Sequence, residues 1–519
     1  MTNAVSVIRG LLIYSVCIPL AIFLGYVLAN PLDRGTFYSV SAVFGLLLLP
    51  LLLKHHHPSL VLTWNTTTVI FFIPGRPNIW MLIAFASFLI SLLQYILARK
   101  SVITNVPLVT RPLIFLGIVV VATAALTGGV GFKSLGAEVG GGKRYAAILA
   151  AILGYYALSM HRIPSHKAHF YLGLYFLSGI TLAVGSLAPY LPSGFNLLFL
   201  LFPVDSWAYW TSDAEGPSLS VARLTGVASA ATFAMYYMLG RYGIRGMLMS
   251  GRPWRFAFFL AFCVISMLGG FRSIMILAAV LFAIQFYLEG LHRTYLLPVF
   301  LVCGLSAFAL SLPFASQLPY SMQRALSIFQ IPVSPEVEMD TRDSNEWRLR
   351  MWAKVTPQIP QYLLLGKGFG MNIRESVMVT DMVMSQREID KSAAAQVAQD
   401  YHNGPLSVLI PLGVFGVIGL LWFWYAGLRL LVVNYRYGDA GLASANTLLL
   451  AFFVTKILLF LLVFGSFYLD LYQFTGVLGL SVALNGGMGA KPAEAPVETV
   501  PKPRGNPSLL PQTKPAFGR

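Results

Sequence analysis

Residues 443–465 read ASANTLLLAFFVTKILLFLLVFG, and after Ser466 and Phe467 the chain continues over 468–484 as YLDLYQFTGVLGLSVAL. A helix needs about 20 apolar residues to cross a hydrocarbon core of about 30 Å. Both runs meet that need, and backbone in lipid must satisfy its own hydrogen bonds, so both read as membrane helices joined in a hairpin. Their only charged side chains are Lys456 and Asp470. At a rise of about 1.5 Å per residue the two differ in depth by less than about 10 Å across the hairpin. They therefore read as an ion pair, although Asp470, nearer the external face, could instead orient His402 or an arginine.

Working outward, runs of the same kind occupy 11–29, 36–53, 79–97, 112–128, 145–160, 168–188, 223–240, 256–270, 272–288, 294–314 and 405–431. Residues 59–73 are shorter and carry Asn65 and several threonines, yet the alternation of sides works only if they cross as well. The expected fold is an all-α, polytopic integral membrane helix bundle of about 12–14 transmembrane helices with one large, partly helical external loop. Residues 195–203 are too short to span and should lie at the interface.

Composition agrees. Of 519 residues, 57% are apolar and 11% are charged, against about a quarter charged in soluble domains. The formal net charge is +16, but Lys and Arg gather in short connections between apolar runs, which suits membrane topology and not a nucleic-acid partner. Cys17, Cys263 and Cys303 lie inside apolar runs, so neither a disulfide framework nor a thiolate metal cluster is expected. The run at 11–29 lacks a small-residue cleavage site and should remain as a helix.

Basic residues set the orientation. With the N-terminus inside, the cytoplasmic connections hold Lys54, Arg99, Lys100, Arg111, Arg162, Lys167, Arg241, Arg245, Arg252, Arg255, Arg293 and Arg436, and both termini are cytoplasmic. The expected division is 1–314 as an N-terminal bundle, 315–403 as a large external loop, 404–485 as C-terminal helices and 486–519 as a disordered tail. The loop carries ten of the twenty acidic residues, and a loop of that length is commonly functional.

Arg223 in VARLTG and Arg272 in GGFRS stand at external starts of spans. A charge drawn toward the bilayer centre costs about 2.5–3.5 kcal/mol on insertion scales, so each either snorkels to headgroups or meets a counter-charge. With Arg342, Arg348 and Arg350 in the loop, they could clamp a lipid diphosphate, because a planar guanidinium binds phosphate oxygens bidentately. His402, within Asp400-Tyr401-His402-Asn403 where the loop re-enters the membrane, is a candidate general base; a structural interfacial histidine is the plainer reading. His55, His56 and His57 have no carboxylate or cysteine nearby and read as an interfacial tract. Gly366-Lys367-Gly368-Phe369-Gly370 lacks the GKS/T ending of a P-loop and reads as a turn. HExxH and GxSxG are absent.

Four segments, in order, resemble the bacterial O-antigen ligase and O-antigen polymerase family of membrane glycosyltransferases. They are Arg223-Leu-Thr-Gly226, Arg272-Ser273, Arg348 through Met351-Trp352 to Gly366–Gly370, and His402-Asn403 followed by Leu406, Gly413, Gly416 and Gly419. Residues 64–80, with Pro74-Gly75-Arg76-Pro77, look like the early spans of that family. The resemblance implies a polyprenyl-diphosphate-linked glycan donor, here undecaprenyl diphosphate, and a lipid or glycan acceptor. It implies a periplasm-facing site in the bacterial inner membrane and no cofactor or metal. Arg223 and Arg272 would bind the diphosphate, Arg348 would assist and His402 would prepare the acceptor hydroxyl. Arg342, Arg350, Tyr401, Asn403 and Asp470 are further candidates for binding. Gly404-Pro405 after His402-Asn403 departs from the commoner ligase pattern and leaves ligase or polymerase open. The alternative is a transporter or flippase for a lipid-linked oligosaccharide; such proteins show internal repeats and broken helices around midplane charges. Here Lys456 is the one strong mid-span charge and the halves do not repeat, so the enzyme is favoured.

Overall fold

The computed structural model describes residues 14–15, 17–26, 34–73, 75–98, 106–132, 139–204, 224–329, 331–372, 374, 377, 395 and 398–489. Among them the chain is helical almost throughout, and its one sheet is the antiparallel pair Val139–Gly140 and Met371–Asn372. Seven segments are long and apolar enough to cross a membrane: Ile79–Leu97, Pro107–Thr127, Ser165–Ser186, Leu296–Gln317, Gly404–Tyr437, Ala440–Leu462 and Phe467–Asn485. Cys17–Tyr26, Pro253–Gly269 and Arg272–Leu288 are shorter apolar helices. The protein is an all-α polytopic membrane protein. Of the remaining expected runs, 145–160 and 223–240 fold as Gly142–Ser159 and Thr225–Leu248. Both are richer in Gly, Ala and Tyr than in Leu and bury much of their length against neighbours.

Residues 34–78 depart from the expected pair of helices. One helix, Arg34–Thr63, runs through the first expected span and only into the start of the second, with a kink at His55. Pro58 lies inside it and offers no N–H to the carbonyl four residues back, the usual cause of such a bend. The helix stops at Thr63, and irregular chain continues the path. His57 Nε2 meets the Leu158 carbonyl at one end of Gly142–Ser159, whereas Gly75 and Asn78 share a cavity with Gly141 and Arg144 at the other. Segment 57–78 thus passes from end to end of a buried helix. Non-helical backbone is tolerated at that depth only where its polar groups are satisfied inside the protein. Val69 N donates to Leu201 O, Ile70 N to Pro77 O and Ile79 N to Thr68 O. The histidines are not an interfacial tract: the bend turns His56 and His57 inward, where both are buried and their rings lie 4.9 and 5.3 Å from that of His161.

Phe467–Asn485 is the centre of the bundle, with 78% of its most apolar window buried. It packs on its neighbours through missing side chains: a Cβ on Gly479 would fall 2.8 Å from Leu158 Cβ in Gly142–Ser159, and one on Gly476 would collide with the Trp64 ring. Close approach of small residues replaces the hydrophobic drive that lipid does not supply. Lys456 Nζ meets Asp470 Oδ1 at 2.8 Å across the expected hairpin.

Candidate functional site

The site is assembled where several helices begin. Gly270, in the left-handed region at φ +64°, ends the preceding turn, and Arg272 then opens the helix Arg272–Leu288. Arg272 Nη2 donates to Asn345 Oδ1 at 3.0 Å, on the loop helix Pro335–Val355. That helix carries Glu336 and Glu338 in its first turn and Lys354 in its last, which suits its macrodipole. Val337, Ser344, Met351 and Val355 form its buried face. Arg348 lies on the same side, one turn beyond Ser344. Its Nε is buried without a hydrogen-bond partner among the described residues. Burial and then the Arg272 charge push its pKa down, while Arg272, lowered by burial, is raised by the charge of Asp340, so two guanidinium groups confront each other with one carboxylate acting on the Arg272 side.

His402 approaches the same place from the re-entry turn. Gln399 and His402 hold positive φ values of 54° and 47°, conformations that are sparsely populated by non-glycine residues and that cluster at functional sites. The turn is anchored on both flanks. Trp352 Nε1 donates to Tyr401 O at 2.9 Å, and Asn403 Oδ1 accepts from Leu406 N at 3.0 Å as the N-cap of Gly404–Tyr437. Tyr401 packs with Met351, Val355 and Ile410 in a small core of its own. The His402 ring stands edge-on to Trp347 at 5.0 Å and tilted against Phe464 at 5.1 Å. Its Nε2 lies 3.6 Å from Asp400 Oδ2, and its Nδ1 is buried without a partner among the described residues. Burial lowers the His402 pKa, the Asp400 charge raises it and the Arg348 charge lowers it again. The net direction is downward, so the imidazole is neutral near pH 7 and able to take a proton.

Arg272, Arg348 and His402 are therefore brought together, and the other expected residues take different positions. Asn403 is a helix cap and Tyr401 an anchor. Asp470 gives one carboxylate oxygen to Lys456 and the other to Ser466 N, which commits it to the hairpin. Arg342 is exposed and pairs with Glu346 at 2.9 Å, and Arg350 is exposed. Arg223 lies outside the described residues. Among the described residues no group of three or more His, Cys, Asp or Glu side chains could hold a metal ion.

Sequence reasoning passed over Asp400 as the partner of His402, and Arg144. The latter donates to Ala398 O and to Gln399 Oε1, bracing the turn from behind. A signal was present: Arg144 follows a glycine run at the start of a span, in GGGKR, as Arg272 does in GGFR.

Residues 256–421 match the family model described as O-Antigen ligase. About a third of the chain is thus similar to O-antigen ligases. The matched stretch contains Arg272, Asn345, Trp347, Arg348, Asp400 and His402, the residues that meet in the site. A search of curated proteins found no match to the chain. That similarity supports a glycan-transferring enzyme of the membrane.

Proposed function

We infer that the protein transfers a glycan from a polyprenyl diphosphate to an acceptor hydroxyl, working at the periplasmic face of the bacterial inner membrane. The observation that carries this reading is the pair Arg272 and Arg348, with Arg348 Nε buried and without a hydrogen-bond partner among the described residues. Buried charges need partners, and two adjacent guanidinium groups are satisfied at once by a diphosphate that offers several anionic oxygens. Arg272 itself opens Arg272–Leu288, adding the positive end of that helix dipole.

In the reaction the acceptor oxygen forms a bond to the anomeric carbon of the donor sugar, and the bond from that carbon to the diphosphate oxygen breaks. The acceptor proton passes to His402. With Asp400 facing Nε2, the unpartnered Nδ1 is the nitrogen that receives it. Charge grows on the departing diphosphate, and guanidinium groups already in place stabilise it without reorganisation. Arg223, at the head of Thr225–Leu248, is assigned to the same anion. The arginine-rich loop at 240–256 lies in the cytoplasm with both termini.

The test is transfer by the purified protein in detergent with lipid-linked glycan as the sole donor. Product formed by wild type and lost in Arg272→Ala and Arg348→Ala supports the reading. Movement of the lipid across a vesicle membrane with no transferred product would replace it with a flippase.

A further inference from the structure

Behind the re-entry turn lies a cavity of about 730 Å³, a size usual for small-molecule sites. Its lining is aromatic: the buried rings of Trp64 and Trp80, 5.5 Å apart, back the partly exposed Tyr472, on which Trp80 stacks at 5.2 Å, and Tyr468 and Phe132 offer further accessible rings. Asn78 and Thr67 supply amide and hydroxyl groups at the wall. A pyranose has a face of C–H bonds and a rim of hydroxyls, and it fits a pocket of aromatic rings edged by a few polar groups. Among the described residues the charged groups that line it are Lys143 and Arg144, with no carboxylate. Arg144 is committed to the turn and lies 5.0 Å over the Tyr468 ring. Lys143 is exposed at the rim.

The cavity and the arginine pair use opposite ends of one turn. Ala398 and Gln399 rest on Arg144 in the cavity wall, whereas His402 faces Arg348. A nucleophile reaches the anomeric carbon from a side the diphosphate does not occupy. We propose that the cavity holds the part of the acceptor saccharide remote from the hydroxyl that meets His402, and that Lys143 selects an acceptor bearing a carboxylate or phosphate there. The assignment of acceptor to this cavity rests on the transferase reading; the presence of an acidic-saccharide site does not.

The test is calorimetric titration of the purified full chain with tri-galacturonate and with galactotriose as the neutral probe. A solvent-exposed ammonium contributes modestly, so the acidic probe should bind about fivefold more tightly. Lys143→Gln should erase that preference. Ala147→Trp, which puts an indole into the cavity from Gly142–Ser159, should abolish binding of both probes while a polyprenyl diphosphate still binds. Equal affinity for the two probes in wild type, or an acidic preference that survives in Lys143→Gln, overturns the role of Lys143. Loss of polyprenyl diphosphate binding in Ala147→Trp overturns the acceptor assignment, because the cavity would then serve the donor. Lys143 is exposed, so its variant decides the matter even if Ala147→Trp does not fold. A chain that binds tri-galacturonate but transfers nothing would remove the transferase reading and leave the saccharide site standing.

Discussion

Arg348→Met should make the empty protein more stable and its hold on the donor weaker. An unsatisfied buried donor costs about 1–3 kcal/mol, and Arg348 Nε is such a donor. Replacing a buried charge by an apolar side chain of similar length is often neutral or stabilising. Against this stands the guanidinium 5.8 Å from the Trp347 ring centre, a contact worth about 0.5–1 kcal/mol where partly exposed. The difference favours the variant by about 1 kcal/mol, or roughly 2 °C in Tm for a chain of this size. Thermal unfolding in detergent without lipid donor measures it. Repeating the melt with inorganic pyrophosphate adds the second half of the argument. Wild type should gain stability with ligand concentration by mass action, and the variant should gain far less. A variant that melts below wild type yet responds equally to pyrophosphate would refute the anion-site reasoning.

His402→Ala should leave polyprenyl diphosphate affinity near wild type and reduce transfer by about 10² to 10⁴-fold, as for a lost general base; loss of donor binding would contradict the role. Because the His402 pKa is lowered, transfer should be flat near neutrality and fall only as pH drops below the ordinary histidine value of about 6.5. Asp400→Asn removes the charge that raises that pKa, so its acid limb should move to lower pH; an unmoved limb in the pH–rate profile counts against the Asp400–His402 pair. Lys456→Met strands the carboxylate of Asp470 in the bundle and should cost about 3–5 kcal/mol, read as a loss of folded protein in a denaturant titration. Transfer should survive excess chelator, and activity lost there and restored by magnesium would sink the arginine account.

The bundle was legible because lipid admits few ways of satisfying a backbone, so apolar length alone marks helices. The Lys456–Asp470 pair was legible for the same reason: two charges in neighbouring runs have little choice of partner. What the sequence hid depends on directions of side chains. Arg342, Arg348 and Arg350 look like one cluster, but at 3.6 residues per turn Arg348 and Arg350 point about 200° apart, and only Arg348 faces the site. His402 could be chosen by its chemistry. Its partner could not, because the positive φ at Gln399 and His402 that folds Asp400 back toward the ring is a product of tertiary anchoring by Arg144 and Trp352. The irregular crossing of 64–78 was hidden likewise, since threonines and Asn65 in an apolar run do not announce where a helix will stop.

The helix Gly404–Tyr437 is broken at Gly413, whose φ is +66°, and the freed backbone groups are taken up by the loop. Val414 N donates to Leu363 O, while Ile410 O and Pro411 O accept from Lys367 N and Gly368 N. The loop is thereby sewn into a membrane helix and does not merely rest above it. Pulling residues 363–368 away would bare several amides and carbonyls in a medium without water, at a cost of several kcal/mol each. Residues 363–368 are thus a fixed wall beside Gly413. By contrast Leu296–Gln317 has 6% of its apolar window buried against the protein, so most of that helix is left to face lipid.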